Sequence, residues 1–114
     1  MQMSDRLPLL GASLKLETLP HRLSWLIAEH RDLELQDACT PALLENGWEG
    51  RARELRSLLD GHRGRLGVHA PYDGLHVATP HPRVAAAVRD LLLCSLEFTA
   101  AAGGTHMVLH SPCV

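Results

Sequence analysis

The sequence predicts an α/β fold made of parallel βα units, with four strands and three helical crossovers. Short apolar runs alternate with helical segments, which is typical of a parallel sheet covered by helices. Two of the apolar runs carry a histidine, His69 or His110, where the run gives way to a proline-containing loop. Ligands of such folds bind at the carboxyl ends of the strands. The candidate site is therefore expected at these two histidines.

The first two strands are predicted over residues 10–16 and 32–37, with a helix between them. Pro20 suits the first turn of that helix, because a backbone N–H is not needed there. The apolar stripe that would pack on the sheet consists of Leu19, Leu23, Leu26 and Ile27. The helix is expected to end near His30.

The second crossover is predicted as two helical segments. Helical material begins after residues 40–41 (TP), breaks near Gly47 and ends at Gly61, where glycine is a common helix terminator. Trp48 lies on the apolar face of the second segment, so it is interpreted as a packing residue, as is Trp25 in the first helix. The third strand follows.

The third strand, over residues 65–70, is followed by the clearest helix of the sequence. Residues 79–82 (TPHP) are a start signal, and residues 103–104 (GG) end the helix. One apolar stripe is predicted along it: Val84, Val88, Leu91, Leu92, Ser95 and Phe98. The fourth strand is predicted over residues 105–110.

The composition is that of an ordinary globular domain. The chain has 114 residues, of which 46% are hydrophobic and 21% charged. A formal net charge of -2 gives no electrostatic argument for binding nucleic acid or an anionic membrane. The arginines between Arg51 and Arg65 alternate with acidic residues, which favours a solvated helix face. Three separated cysteines, no signal sequence and no long apolar run predict a cytoplasmic protein.

Polar residues on the second predicted strand are the next candidates. Glu34 and Gln36 share one face of that strand, because strand side chains alternate. Polar groups on a buried strand are usually paired or functional. Glu34 is therefore a candidate for the site, with an ion pair to Lys15 or an arginine as the alternative. His106 lies at the opposite end of its strand from His110 and is interpreted as structural.

Two cysteines also follow predicted strands. Cys39 lies just beyond the second strand and Cys113 just beyond the fourth. A nucleophilic role needs a neighbouring base, and none is assigned to either thiol. Both are therefore interpreted as small apolar residues that fill the core.

Three segments together resemble the xylose-isomerase-like TIM barrels. Residues 67–72 (GVHAPY) and 101–112 (AAGGTHMVLHSP), separated by one long helix, resemble the third and fourth βα units of that superfamily, and residues 32–37 (DLELQD) are similar to its second strand. The superfamily contains sugar and sugar-phosphate isomerases and epimerases, and endonuclease IV. The resemblance implies a tail over residues 1–9 and the first half of a (β/α)8 barrel over 10–114, ending after the fourth strand.

The resemblance also implies roles for the candidate residues. His69, His110 and Glu34 would be catalytic, and Gln36 and Tyr72 would contact a sugar or sugar phosphate. A divalent metal, Mn, Mg, Co or Zn, is expected for the family, with most of its ligands in the half of the barrel beyond this chain. In endonuclease IV-like members the positions of His69 and His110 are themselves zinc ligands.

Three alternatives stand beside the leading hypothesis of a metal-dependent sugar isomerase or epimerase. The first is an endonuclease IV-like nuclease, which the absence of a basic groove in the sequence disfavours. The second is a half-barrel that pairs with a second copy, because the outer edges of the first and fourth strands would otherwise be open. The third is a truncated, inactive remnant. Self-association is expected if the chain is complete, and neither a membrane nor nucleic acid is expected as a partner.

Overall fold

The fold is a four-stranded parallel sheet with helices on one face. A computed structural model describes residues 10–72 and 74–110, so the predicted tail and Cys113 lie outside the described residues. The strands lie in the order β1-β2-β3-β4: β1 Ala12–Leu14, β2 Leu33–Leu35, β3 Leu66–His69 and β4 His106–Val108. The helices are α1 Leu23–Ala28, α2 Ala42–Glu45, α3 Glu49–Leu58 and α4 Pro82–Ala101, with 3-10 turns at Leu19–His21 and Asp37–Cys39. The predicted α/β class, strand number and parallel order are confirmed.

The first two strands end earlier than predicted because the chain turns at their carboxyl ends. The Lys15 carbonyl accepts hydrogen bonds from the N–H groups of Thr18 and Leu19, both at 3.0 Å, which ends β1. The Gln36 carbonyl accepts a hydrogen bond from the Cys39 N–H at 3.1 Å, which ends β2. The predicted first helix is likewise divided into a 3-10 turn and the six-residue α1.

The core lies between the sheet and its helices. Side chains of β2 and β3 that face the helices are buried, among them Leu35 and Val68, and Phe98 of α4 packs with them. The stripe predicted on α4 is buried at Val88, Ser95 and Phe98. Val84 lies one turn earlier and is 44% exposed, so its predicted place in the core is wrong.

The opposite face of the sheet carries polar side chains. Ser13, Glu34, Gly67 and His106 are register partners in one row across the four strands. The imidazole of His106 lies over Gly67, where an added Cβ would collide with it. No helix in the described part of the chain has the length and apolar run needed to cross a bilayer.

An ion pair joins the amino ends of β2 and β3. The Nε–H and Nη2–H groups of Arg65 donate hydrogen bonds to Asp32 Oδ2 at 2.9 and 2.7 Å, and the Arg65 backbone N–H donates to Oδ1 at 2.8 Å. These side-chain and backbone hydrogen bonds lower the pKa of Asp32 below its ordinary value. Asp32 therefore adds stability above about pH 4, its unfolded value, and this contribution is lost as the pH falls through the lowered pKa.

Replacing Asp32 with asparagine is expected to remove this pH-dependent contribution. The destabilisation of Asp32→Asn relative to wild type should be larger near neutral pH than in acid, because the wild-type carboxylate is protonated in acid and its ion pair is lost. Its size should be small, since the pair is exposed. Urea unfolding at several pH values measures it. Asp60→Asn, at an exposed aspartate after α3, is the control, and an identical pH profile for both variants would contradict the prediction.

Candidate functional site

The two candidate histidines meet at the carboxyl edge of the sheet. His69 is the last residue of β3, and His110 follows β4 by two residues. Because β3 and β4 are parallel neighbours with His69 opposite Val108, both side chains reach the same edge. Their Nε2 atoms lie 3.0 Å apart, and their rings are 4.7 Å apart at 72°. The structure thus brings together the two residues that the sequence singled out.

The backbone fixes the tautomer of His69. Its Nδ1 lies 2.7 Å from the Ala70 carbonyl oxygen, which can only accept a hydrogen bond. Nδ1 therefore carries the proton, and in neutral His69 the lone pair is on Nε2. His110 then donates its Nε2–H to that lone pair. His69 is buried, at 7% exposure, so this hydrogen bond to His110 is shielded from bulk water.

Tyr72 forms a wall of the site. Its ring stacks on His110 at 4.4 Å and 19°, and its centroid lies 5.2 Å from that of His69. The Tyr72 N–H donates a hydrogen bond to the Cys39 carbonyl at 3.1 Å, which ties this loop to the end of β2. Tyr72 remains 40% exposed, so a ligand can reach it.

Glu34 and Gln36 form a hydrogen-bonded group with Ser13. Glu34 Oε2 accepts hydrogen bonds from Ser13 Oγ at 3.1 Å and from Gln36 Nε2 at 2.9 Å, and Gln36 Nε2 also contacts Ser13 Oγ. The Cys39 thiol donates to Gln36 Oε1 at 3.1 Å. The alternative ion pair of Glu34 with Lys15 or an arginine is not found among the described residues, where its bonds run to Ser13 and Gln36. None of these bonds reaches the histidines.

Tyr72 also borders a cleft of about 340 Å³. We call it the Tyr72 cleft, and its lining is Lys15, Glu17, Gln36, Asp37, Cys39, Thr40, Arg51 and Tyr72. The cleft was not predicted from the sequence, because Arg51 was interpreted as part of a solvated helix face. One signal was present: Lys15 is the single lysine of the sequence and lies at the carboxyl end of a strand.

The chain resembles a bacterial protein whose crystals were soaked with zinc chloride. That protein is TTHB071 from Thermus thermophilus, and the two structures superpose with a TM-score of 0.69 at 28% sequence identity. The match covers 93% of this chain and 41% of that one, so this chain spans less than half the length of its structural neighbour. No protein-family profile and no curated protein matches the chain.

Proposed function

We propose that the chain is the amino-terminal half of a divalent-metal-dependent sugar or sugar-phosphate isomerase or epimerase, of the xylose-isomerase-like type. The observation that carries the proposal is the pair of Nε2 atoms of His69 and His110, 3.0 Å apart at the carboxyl edge of a parallel sheet. Four parallel strands with helical crossovers are also what half of a (β/α)8 barrel requires.

The histidine pair has the donor chemistry of a metal site. Two nitrogens on a tetrahedral zinc ion lie about 3.3 Å apart, because each Zn–N bond is about 2.0 Å long. A ligating histidine usually donates its other ring N–H to a carbonyl or carboxylate, as His69 does to Ala70. No group of three or more metal-ligating side chains gathers within residues 10–72 and 74–110. The pair would therefore supply two ligands, and the others would come from outside those residues.

The side chains of this chain have distinct roles in the proposed reaction. A bound metal would polarise the hydroxyl and carbonyl oxygens of the sugar. Glu34 would move the proton between adjacent carbons, since Ser13 and Gln36 hold one of its carboxylate oxygens in place. Gln36 and Tyr72 would contact the substrate, Tyr72 as the wall beside His110. The resemblance implies these roles, and the hydrogen bonds of Glu34 and the stacking of Tyr72 on His110 support them.

Titration with ZnCl₂ and MnCl₂ by calorimetry tests the proposal. Wild type is expected to bind at least one of the two metals, because a neutral imidazole can offer an Nε2 lone pair to a metal ion. His69→Ala and His110→Ala should each weaken binding by about 100-fold or more, since loss of even an outer contact to a ligand costs about 10- to 100-fold. His76→Ala, in the exposed loop after β3, is the matched control.

Two outcomes of the titration would contradict the proposal. If wild type binds neither metal, or if His110→Ala binds as tightly as wild type, the histidine pair holds no metal. His110 is exposed, so its variant should fold even if that of the buried His69 does not. The reaction itself can then be tested in deuterated water. Wild type should incorporate deuterium at the carbon next to the carbonyl of an aldose or ketose, and Glu34→Gln should not.

An endonuclease IV-like nuclease is the second candidate. The histidine pair supports it as well, because the two Nε2 atoms face each other and can ligate one ion directly. The net charge of -2 argues against it, because nuclease affinity depends on neutralising phosphates. Metal-dependent cleavage of DNA at abasic sites, with no deuterium uptake into sugars, would select this candidate. Pairing of two half-barrels through the open edges of β1 and β4 remains a prediction.

A further inference from the structure

We propose that the Tyr72 cleft binds the phosphate group of a small phosphorylated sugar, with Lys15 and Arg51 as its cationic contacts. This inference rests on the proposed function for the sugar, but its phosphate contacts are independent of the histidine pair. Tyr72 lines the cleft and also stacks on His110. A ligand with its phosphate in the cleft would therefore extend past Tyr72 towards the two histidines.

Lys15 supplies an available positive charge at the carboxyl edge. Its backbone is fixed, since its carbonyl accepts hydrogen bonds from Thr18 Oγ1 at 2.9 Å and from two N–H groups. Glu17 and Asp37 line the same cleft, yet among the described residues no carboxylate forms an ion pair with the Lys15 ammonium. An exposed ammonium on a fixed backbone, whose three N–H groups form no hydrogen bond within the described part of the chain, is suited to an incoming anion.

Arg51 supplies the second charge from the first turn of α3. The amino end of a helix carries a partial positive charge, so a cation there is repelled and an anion is favoured. No side chain caps this end of α3. The guanidinium has one ion contact among the described residues, to Glu54 at 3.6 Å, and both partners are about half exposed. Such a pair contributes little, so a phosphate can replace it.

Because the cleft also contains acidic residues, it would recognise a phosphate through short-range contacts rather than through long-range electrostatic attraction. Asp37 Oδ1 accepts a hydrogen bond from the Leu16 N–H at 2.7 Å, so this carboxylate is already engaged with the backbone. Glu17 and Asp37 nevertheless balance the charges of Lys15 and Arg51. Phosphate binding must therefore depend on direct contacts with the two cations and with the Thr40 hydroxyl, and not on the net field of the cleft.

The size of the cleft is suited to one small ligand. Its volume of about 340 Å³ lies at the small end of the range for small-molecule sites, about 300 to 1,000 Å³. Gln36 lines the cleft and is hydrogen-bonded to Glu34 at 2.9 Å, so the cleft adjoins the Glu34 group. A phosphorylated monosaccharide would thus reach both the cations and the polar face of the sheet.

An NMR titration of backbone amides with ribose 5-phosphate tests this proposal, with ribose and inorganic phosphate as comparison probes. Wild type should bind ribose 5-phosphate and phosphate, with shifts at the Tyr72 cleft, and should bind ribose more weakly. Lys15→Met and Arg51→Met should each weaken binding of ribose 5-phosphate about tenfold, the typical loss for one charged hydrogen bond. Arg53→Met is the matched control, because Arg53 lies on α3 but lines a different surface.

Each outcome supports or overturns the assignment. Equal binding of ribose and ribose 5-phosphate, no binding of either phosphate probe, or equal losses in Arg53→Met and Arg51→Met would overturn it. The metal titration is independent, because Lys15→Met and Arg51→Met should bind metal as wild type does. Phosphate binding without metal binding would contradict the proposed function alone. Metal binding without phosphate binding would contradict only the proposal that the Tyr72 cleft binds phosphate.

Discussion

Replacement of Phe98 with alanine is expected to remove a large part of the stability of this domain. Phe98 is fully buried in α4, and its ring meets Trp48 edge-on at 5.9 Å and 87°. Truncation of a buried phenylalanine costs about 3–5 kcal/mol, because the burial of its apolar surface is lost and a cavity is left in the core. The total stability of a small domain is only about 5–15 kcal/mol. The variant should therefore unfold at a much lower urea concentration.

Urea unfolding followed by circular dichroism measures this effect. Leu93→Ala is the matched control, because Leu93 lies on the same helix but is 52% exposed. Its free energy of unfolding should change by about 0.5 kcal/mol or less. Similar losses in the two variants would mean that α4 does not pack on the sheet through Phe98. Trp48 fluorescence should shift in Phe98→Ala and stay unchanged in Leu93→Ala.

The fold could be predicted from the sequence wherever the apolar periodicity of a helix ends at a glycine that can break it. The second crossover shows this: Gly47, at a φ of +78°, separates α2 from α3 at the predicted break. Gly103, at a φ of +82°, follows α4 where a stop was expected. Element ends were less accurate, because hydrogen bonds to the Lys15 and Gln36 carbonyls turn the chain before its apolar pattern ends.

Burial of single residues was harder to predict, because it depends on what covers a helix. Trp48 packs against Phe98 and donates a hydrogen bond from Nε1 to Cys94 Sγ at 3.0 Å, as expected of a packing residue. The prediction that Trp25 is a packing residue of the core is wrong. Trp25 is 37% exposed, with the Arg31 guanidinium 4.4 Å above its ring. The stacked cation shields the indole, which gives it a stable place outside the core.

The histidine pair was accessible to sequence reasoning, and the rest of the site was not. Parallel neighbouring strands necessarily bring His69 and His110 to one edge. The partners of Glu34 depend instead on the register of β1 against β2, which places Ser13 opposite Glu34. The Tyr72 cleft depends on the tertiary approach of α3 to the β1 turn, and no local pattern encodes that approach.

A backbone contact at the amino edge of the sheet leaves no room for a side chain at Gly64. A Cβ on Gly64 would lie 2.7 Å from the His30 carbonyl oxygen and 2.7 Å from the Arg31 carbonyl carbon, and still closer to the Arg31 oxygen. That oxygen also accepts a hydrogen bond from His62 Nε2 at 2.5 Å. The loop before β3 is thus packed directly on the loop before β2.

Gly64→Ala is therefore expected to destabilise the domain by about 1–3 kcal/mol, the usual cost of overpacking. The groups that must move are backbone atoms of a neighbouring loop, which cannot rotate away as a side chain would. Gly50→Ala is the matched control, because its Cβ would meet only an Arg53 side-chain nitrogen at 3.8 Å. Gly50 lies in the first turn of α3, so alanine there should stabilise the domain, by less than the value of about 1 kcal/mol for a helix interior. Thermal unfolding of the two variants should therefore move in opposite directions from wild type, and a shift of the same sign in both would contradict the close approach of the two loops.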